Sequence, residues 1–211
     1  MEKLLSTMKK IYLSHLVYSL VRPLVHSLVI LLVTLLATQS LHAQSDLWSR
    51  RHITMLDGLP TNTVRSITQD KDGFIWMGTD NGLCRYDGYN VLTYHNRQLG
   101  ADQFVSAMMP LGKNLLVGST HGAFLLDIEK GRFDLLDQKL NSLVNAFSID
   151  ADGNVWVATR GQGIFCYHPA TRHSTHYPIN KANGILDDVF ADNTNQIWAI
   201  SKAHGCIYYF N

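Results

Sequence analysis

The chain has no basic excess outside its first 43 positions. It holds 18 Lys and Arg against 17 Asp and Glu, and four of the basic residues but only Glu2 of the acidic ones lie in that segment. From Gln44 to Asn211 there remain 14 basic and 16 acidic side chains, a formal charge of −2. Nucleic-acid binding needs clustered Lys and Arg to displace counterions, so DNA and RNA are excluded as direct partners of this chain. Cysteine is scarce as well. Cys84, Cys166 and Cys206 are odd in number and out of phase with one another, whereas a disulfide-stapled secreted domain shows an even set at regular spacing. They read as small apolar packing residues. After Gln44 no stretch of twelve residues sustains a helical apolar face, so that part is expected to be almost entirely strand and turn.

The one long apolar run lies at the N-terminus. Lys3, Lys9, Lys10 and Arg22 precede the run Leu24 to Leu36, which leads to the small-residue site Leu41-His-Ala43. A basic start, an apolar stretch and a small-residue exit describe a secretory signal peptide. The run is shorter than the roughly 20 residues of a membrane span, and Arg22-Pro23 interrupts its extension back through Ile11 to Val21. Residues 1–43 are therefore expected to be a signal peptide cut before Gln44, with an uncleaved anchor as the alternative, and the location to be periplasmic.

Beyond that segment the chain is periodic. Trp76, Leu116, Trp156 and Trp198 stand at intervals of 40, 40 and 42 residues, each succeeded by a glycine (Gly82, Gly122, Gly163, Gly205) and a short apolar run ending near an aromatic. A period of about 40 to 45 residues built of short strands is the signature of β-propeller blades. In the first repeat Val64–Gln69, Phe74–Gly78, Leu83–Asp87 and Asn90–Tyr94 read as four successive strands, separated by Asp70-Lys-Asp-Gly73, Asp80-Asn-Gly82 and Asp87-Gly88. Asp and Gly supply the turn chemistry. The expected fold is all-β, about four four-stranded blades forming a partial or open ring. The expected boundaries are an N-terminal strand or linker at 44–58, then blades at 59–97, 98–139, 140–181 and 182–211, the last incomplete. Ser49 to Leu56 reads as a strand without a blade of its own, and a strained closure would pair Ser49 to Met55 beside Cys206–Tyr209.

Asp57-Gly-Leu-Pro-Thr-Asn-Thr-Val64, Ile67-Thr-Gln-Asp70, Gly73-Phe-Ile-Trp76, Gly78-Thr79, Asn81-Gly-Leu83 and Arg85-Tyr-Asp-Gly88 together resemble the opening of a two-component regulator propeller, the periplasmic sensor repeat of Bacteroidetes hybrid two-component systems. The resemblance runs from Trp48 to Asn211. It is closest in the first blade, clear in the third and looser in the second and fourth, where Leu116 replaces Trp and Asp192-Asn-Thr-Asn195 replaces a glycine turn. The resemblance implies a larger protein with two propellers, an immunoglobulin-like domain, a membrane helix, a histidine kinase, a receiver and a helix-turn-helix output domain. It implies an oligosaccharide as ligand, the remaining blades and domains as partners, and a dimer. This chain shows no kinase nucleotide motif or phospho-accepting aspartate pocket, and is expected to be a truncated frame or a remnant.

The chemistry-bearing residues are weighed beside that resemblance. Asp70-x-Asp-Gly73 and Asp150-x-Asp-Gly153 fail as calcium loops, because the fifth and twelfth positions counted from Asp70 are Phe74 and Asn81. His168, His173 and His176 lie across a turn and along a strand without a Cys or carboxylate at ligand spacing, so neither metal nor cofactor is expected. Trp76, Leu116, Trp156 and Trp198, with the four repeat glycines, read as structural anchors. Recognition is left to the loops of a rigid scaffold. The turns before each repeat glycine carry Asp80, Asn81, His121, Arg160, Gln162, Lys202 and His204 as candidate ligand-binding residues. Two functions fit: a non-catalytic sensor module, or a secreted propeller enzyme acting on carbohydrate. The enzyme would need paired carboxylates or a Tyr/His pair on one face, which the equivalent loops do not offer.

Overall fold

The computed structural model describes residues 2–40, 50–99, 103–179 and 184–210. They fall into two compact units, Met1–His52 and Ile53–Asn211. The first is built on one helix, α1 (Glu2–Ser40), which runs unbroken through Pro23. The expected interruption at Arg22-Pro23 is therefore absent. The proline removes the N–H that would meet the Ser19 carbonyl four residues back, and long apolar helices tolerate such a gap. Leu16–Thr34 is long and apolar enough to cross a membrane, longer than the run read from the sequence. The expected cleavage site at Ala43 and Gln44 lies outside the described residues.

The second unit is four antiparallel sheets in chain order. β1 (Val64–Gln69), β2 (Ile75–Thr79), β3 (Gly82–Tyr86) and β4 (Val91–Tyr94) form the first. β5 (Val105–Leu111), β6 (Asn114–Ser119), β7 (Gly122–Asp127) and β8 (Arg132–Leu135) form the second. β9 (Val144–Ile149), β10 (Val155–Thr159), β11 (Ile164–His168) and β12 (His173–Tyr177) form the third, and β13 (Asp188–Ala191), β14 (Ile197–Ser201) and β15 (Cys206–Phe210) the fourth. Each strand pairs with its successor, and the first strands β1, β5, β9 and β13 touch in sequence. This is a partial propeller whose sheets do not close.

The turns between the first two strands are fastened by the aspartates. Asp70 Oδ1 accepts the N–H groups of Asp72 and Phe74 at 3.0 Å, and its Oδ2 accepts the buried Trp76 indole N–H at 2.7 Å. Asp150 repeats the arrangement on Asp152, Asn154 and Trp156. In the fourth blade Asn195 (φ +63°) takes the left-handed position that Gly73 and Gly153 fill in the first and third, as the short amide side chain of Asn permits.

Between blades, apolar faces stack. Trp76 packs with Leu99, Val105, Leu115 and Phe124, and Leu116 with Val144, Phe147, Phe165 and Tyr167. Polar side chains also stitch blade to blade: the Ser106 hydroxyl donates to the Val144 carbonyl between blades 2 and 3, and Asn145 Nδ2 to the Leu186 carbonyl at 2.7 Å between blades 3 and 4. The approach is close enough to require glycine. A Cβ on Gly78 would stand 2.6 Å from Val105 Cγ1, and one on Gly118 2.7 Å from Val144 Cγ1. The repeat-equivalent residue is Ala158 in blade 3 and Ile200 in blade 4. Blade 4 accordingly presents an uncovered apolar face of Phe190, Trp198, Ile200 and Ile207 around a groove of about 220 Å³.

The segment before blade 1 departs from expectation. Residues 50–54 carry no strand, and Met55–Asp57 form a 3-10 turn capped by Thr54, whose hydroxyl accepts the Leu56 N–H. Ile53 and Leu59 instead pack on Met77, Cys84 and Val91, covering the blade 1 face that points away from blade 2. Of the apolar pattern Ile53-Thr-Met-Leu56 only Ile53 packs, Met55 and Leu56 being exposed, and Cys206–Phe210 gains no fourth strand from it.

Candidate functional site

In blades 1 to 3 the hydroxyl residue ending the second strand organises the turn after it. Thr79 Oγ1 donates to the Gly82 carbonyl at 2.8 Å and accepts the Asn81 N–H at 3.1 Å. Ser119 does the same for Gly122 and His121, and Thr159 for Gly163 and Gln162. In blade 4 the 3-10 turn Lys202–His204 takes over, fixed by the Lys202 N–H on Asp187 Oδ2 at 2.6 Å, and the buried Ser201 hydroxyl has no partner among the described residues. This fourfold hydroxyl is a repeat signal as regular as the tryptophan period. The turns abut the connections to or from adjacent blades: Gly122 lies under Leu140, Gly163 against Ile179, and Arg160 N–H donates to the Leu143 carbonyl at 2.8 Å. They therefore share one end of the blades.

The seven candidate residues divide into two groups. Asp80 and Gln162 hold the scaffold. Asp80 receives Arg65 Nε at 2.6 Å and Nη2 at 3.0 Å, and this paired guanidinium holds its carboxyl below the usual value. Gln162 accepts the Asn141 N–H and donates to the Lys139 carbonyl, tying the turn to the connection between blades 2 and 3. Asn81, His121, Arg160, Lys202 and His204 are exposed on the same turns. The His121 ring meets the Thr120 hydroxyl at 2.8 Å. Arg160 has its backbone fixed on both sides, by Leu143 and by the Ser142 hydroxyl on its carbonyl at 2.9 Å, while its guanidinium has no partner among the described residues. A fixed backbone beneath a free donor fork is a preorganised arrangement for polar recognition. Sequence reasoning misses Arg65 and the turn hydroxyls; the ion pair spans 15 positions, and no local pattern announces it.

The other chemistry-bearing groups serve packing. His168 Nδ1 meets Asn154 Oδ1 at 2.7 Å, and the His176 ring stacks on Phe165 at 4.2 Å while its Nε2 meets the Gln162 carbonyl. Among the described residues no group of three His, Cys, Asp or Glu is placed to hold a metal ion. Burial pushes the Cys84 thiol up to about 11 and the Cys166 thiol up to about 12, which keeps both protonated and unreactive.

Similarity to known proteins falls on the same repeats. The two component regulator propeller family matches residues 58–81 and 138–161, the opening segments of blades 1 and 3. A curated relative, Histidine kinase P4 of Formosa agariphila, is 40% identical over 57 residues, 27% of this chain and 4% of that protein. Among solved structures, the extracellular domains of the putative hybrid two component systems BT4673 and BT3049 from B. thetaiotaomicron share 24% and 19% identity. They superpose with a TM-score of 0.63 each, covering 72% and 76% of this chain but 22% and 26% of those chains. Virginiamycin B lyase from Staphylococcus aureus, at 14% identity and a TM-score of 0.57, shares the fold over 73% of this chain. The chain thus spans about a quarter of the two extracellular domains and a small part of the kinase.

Proposed function

We propose that this chain, which carries two-component regulator propeller repeats, is a non-catalytic ligand-sensing module, the N-terminal part of an exported sensor of a hybrid two-component system. The observation that carries this reading is the family match on blades 1 and 3, and the likeness to kinase-linked relatives supports it. α1 would serve as export signal or anchor and place the blades in the periplasm. The remaining blades and domains of a longer protein would complete the sensor, which would act as a dimer.

The ligand on this reading is an oligosaccharide at the turn-bearing end. Sugar hydroxyls are recognised by planar and rotatable donors and acceptors held on rigid backbone; Asn81, His121 and Arg160 offer such groups on turns pinned by their own hydroxyls, and Lys202 and His204 on a turn fixed by Asp187. Arg160 is the side chain to test first, since its fork is unengaged. Calorimetric titration with plant and host glycan fragments, for wild type and Arg160→Ala, should show binding that the substitution weakens by about tenfold or more, the size of one charge-assisted bond. Equal affinity in the variant would remove Arg160 from the site.

A further inference from the structure

Blade 3 places an arginine where blade 2 places a glycine. In the outer hairpin of blade 2, Gly131 (φ +63°) precedes Arg132, the partner of Asp127. In blade 3, Arg172 (φ +55°) precedes His173, the partner of His168. Glycine adopts this left-handed conformation freely, whereas a residue with a Cβ is disfavoured there. The turn is closed by the Arg172 N–H on the His168 carbonyl at 2.8 Å, a bond that glycine would make equally well. The backbone has no need of arginine, so the use of this position lies in the side chain.

That side chain lines a cleft of about 440 Å³ between the outer strands of blades 2 and 3, a size within the range of small-molecule sites. Half-buried Leu125, exposed Leu135 and the edges of buried Leu136 and Tyr167 form a small apolar wall in a lining that is mostly polar, with Arg132, Asp134 and Arg172 exposed around it. Arg132 Nε and Nη2 both donate to Asp134 Oδ2, at 3.2 and 2.8 Å. Arg172 has no ion pair or hydrogen bond from its side chain among the described residues. One guanidinium is thus compensated and one is not, which leaves a net positive charge beside an apolar wall. A guanidinium takes a carboxylate through two parallel bonds, and the tyrosine and leucine surfaces suit the flat apolar face of a ring.

We propose that this cleft binds a small ring-bearing carboxylate, with Arg172 taking the acid group and the ring lying against Tyr167, Leu125 and Leu136. The site is on the outer rim, separate from the turn-bearing end, and does not depend on the sensor reading. A sugar acid and an aromatic acid share this chemistry. The test is calorimetric titration of the full chain in mild detergent with galacturonate and with benzoate, using galactose and benzyl alcohol as uncharged counterparts. Saturable binding of one acid is expected, identifying the source. It should weaken by about tenfold or more with the uncharged counterpart and in Arg172→Gly, and weaken with added salt. The same Arg172→Gly variant should melt about 2–4 °C higher as the left-handed strain is relieved, which separates lost binding from lost folding. Absence of binding by both acids, or equal binding by Arg172→Gly, would overturn the proposal.

Discussion

Gly118→Ala should destabilise the blades although it adds a single methyl group to a strand with unstrained backbone. The added Cβ would stand 2.7 Å from Val144 Cγ1, 2.9 Å from Val144 Cβ and 3.3 Å from Phe147 Cε2, where carbon pairs prefer about 3.5–4.0 Å. A change of rotamer could withdraw the Val144 γ-carbon, but its Cβ is fixed to β9, the first strand of the next blade. Relief requires the two blades to part by about 0.5–1 Å along a seam that buries Leu116, Val144 and Phe147, and such overpacking costs about 1–3 kcal/mol. The loss of glycine's freedom in the unfolded chain offsets about 0.4–1 kcal/mol. The net loss is about 1–2 kcal/mol, read as a fall of about 2–8 °C in the melting temperature. Urea unfolding monitored by tryptophan fluorescence gives the same quantity from the midpoint at unchanged slope. Val144→Ala removes both γ-carbons, so the double variant should lose less than the sum of the single losses, by about 0.5 kcal/mol or more. Strict additivity, or a Gly118→Ala protein as stable as wild type, would refute the close stacking of blades 2 and 3.

The same packing sets three further outcomes. Trp76→Ala should cost about 3–5 kcal/mol, because the indole is fully buried and bonded to Asp70, whereas Trp198→Ala, 40% exposed on the open face of blade 4, should cost about half as much or less in the same urea experiment; equal losses would contradict the seam assignment. Iodoacetamide labelling of the native chain, mapped by mass spectrometry, should modify Cys206 well before Cys84 and Cys166, whose burial raises them to about 11 and about 12; early modification of Cys84 would contradict its place beneath Ile53 and Leu59. Burial pushes the Asp150 carboxyl up, but bonds from Trp156, Asn154 and Asp152 outweigh it and hold the group below its ordinary value of 3.8. Its contribution is therefore complete above that value and is lost as pH falls through the lower folded value, so Asp150→Asn should flatten the acid limb of urea midpoint against pH, and an unchanged limb would refute the turn account.

The propeller was legible because its signals are local. Trp at 76, 156 and 198, Asp at 70 and 150 and the repeat glycines each act within one hairpin, and side-chain alternation fixes strand faces. Blade 4 kept its turn without glycine because Asn195 tolerates the same dihedral. What stayed hidden depends on neighbours far away in sequence. Gly78 and Gly118 look like ordinary strand residues until Val105 and Val144 stand opposite them. Ser49–Leu56 alternates like a strand, yet what packs on Met77 and Cys84 is Ile53 together with Leu59, a contact with residues far along the chain that no local pattern shows. At the candidate site the sequence located the turns, yet it could not separate Asp80 and Gln162, which hold neighbouring segments, from Arg160, which holds none with its side chain.

The most direct test of the sensor account is to pass a library of plant and host glycan fragments over the immobilised full chain, elute what is retained, and weigh it. The account predicts that a defined oligosaccharide is retained and elutes with its mass unchanged, and that an excess of the free fragment abolishes its retention. Recovery of cleaved or eliminated products would instead make the protein an enzyme, and retention of no fragment would contradict the proposal that these blades bind carbohydrate.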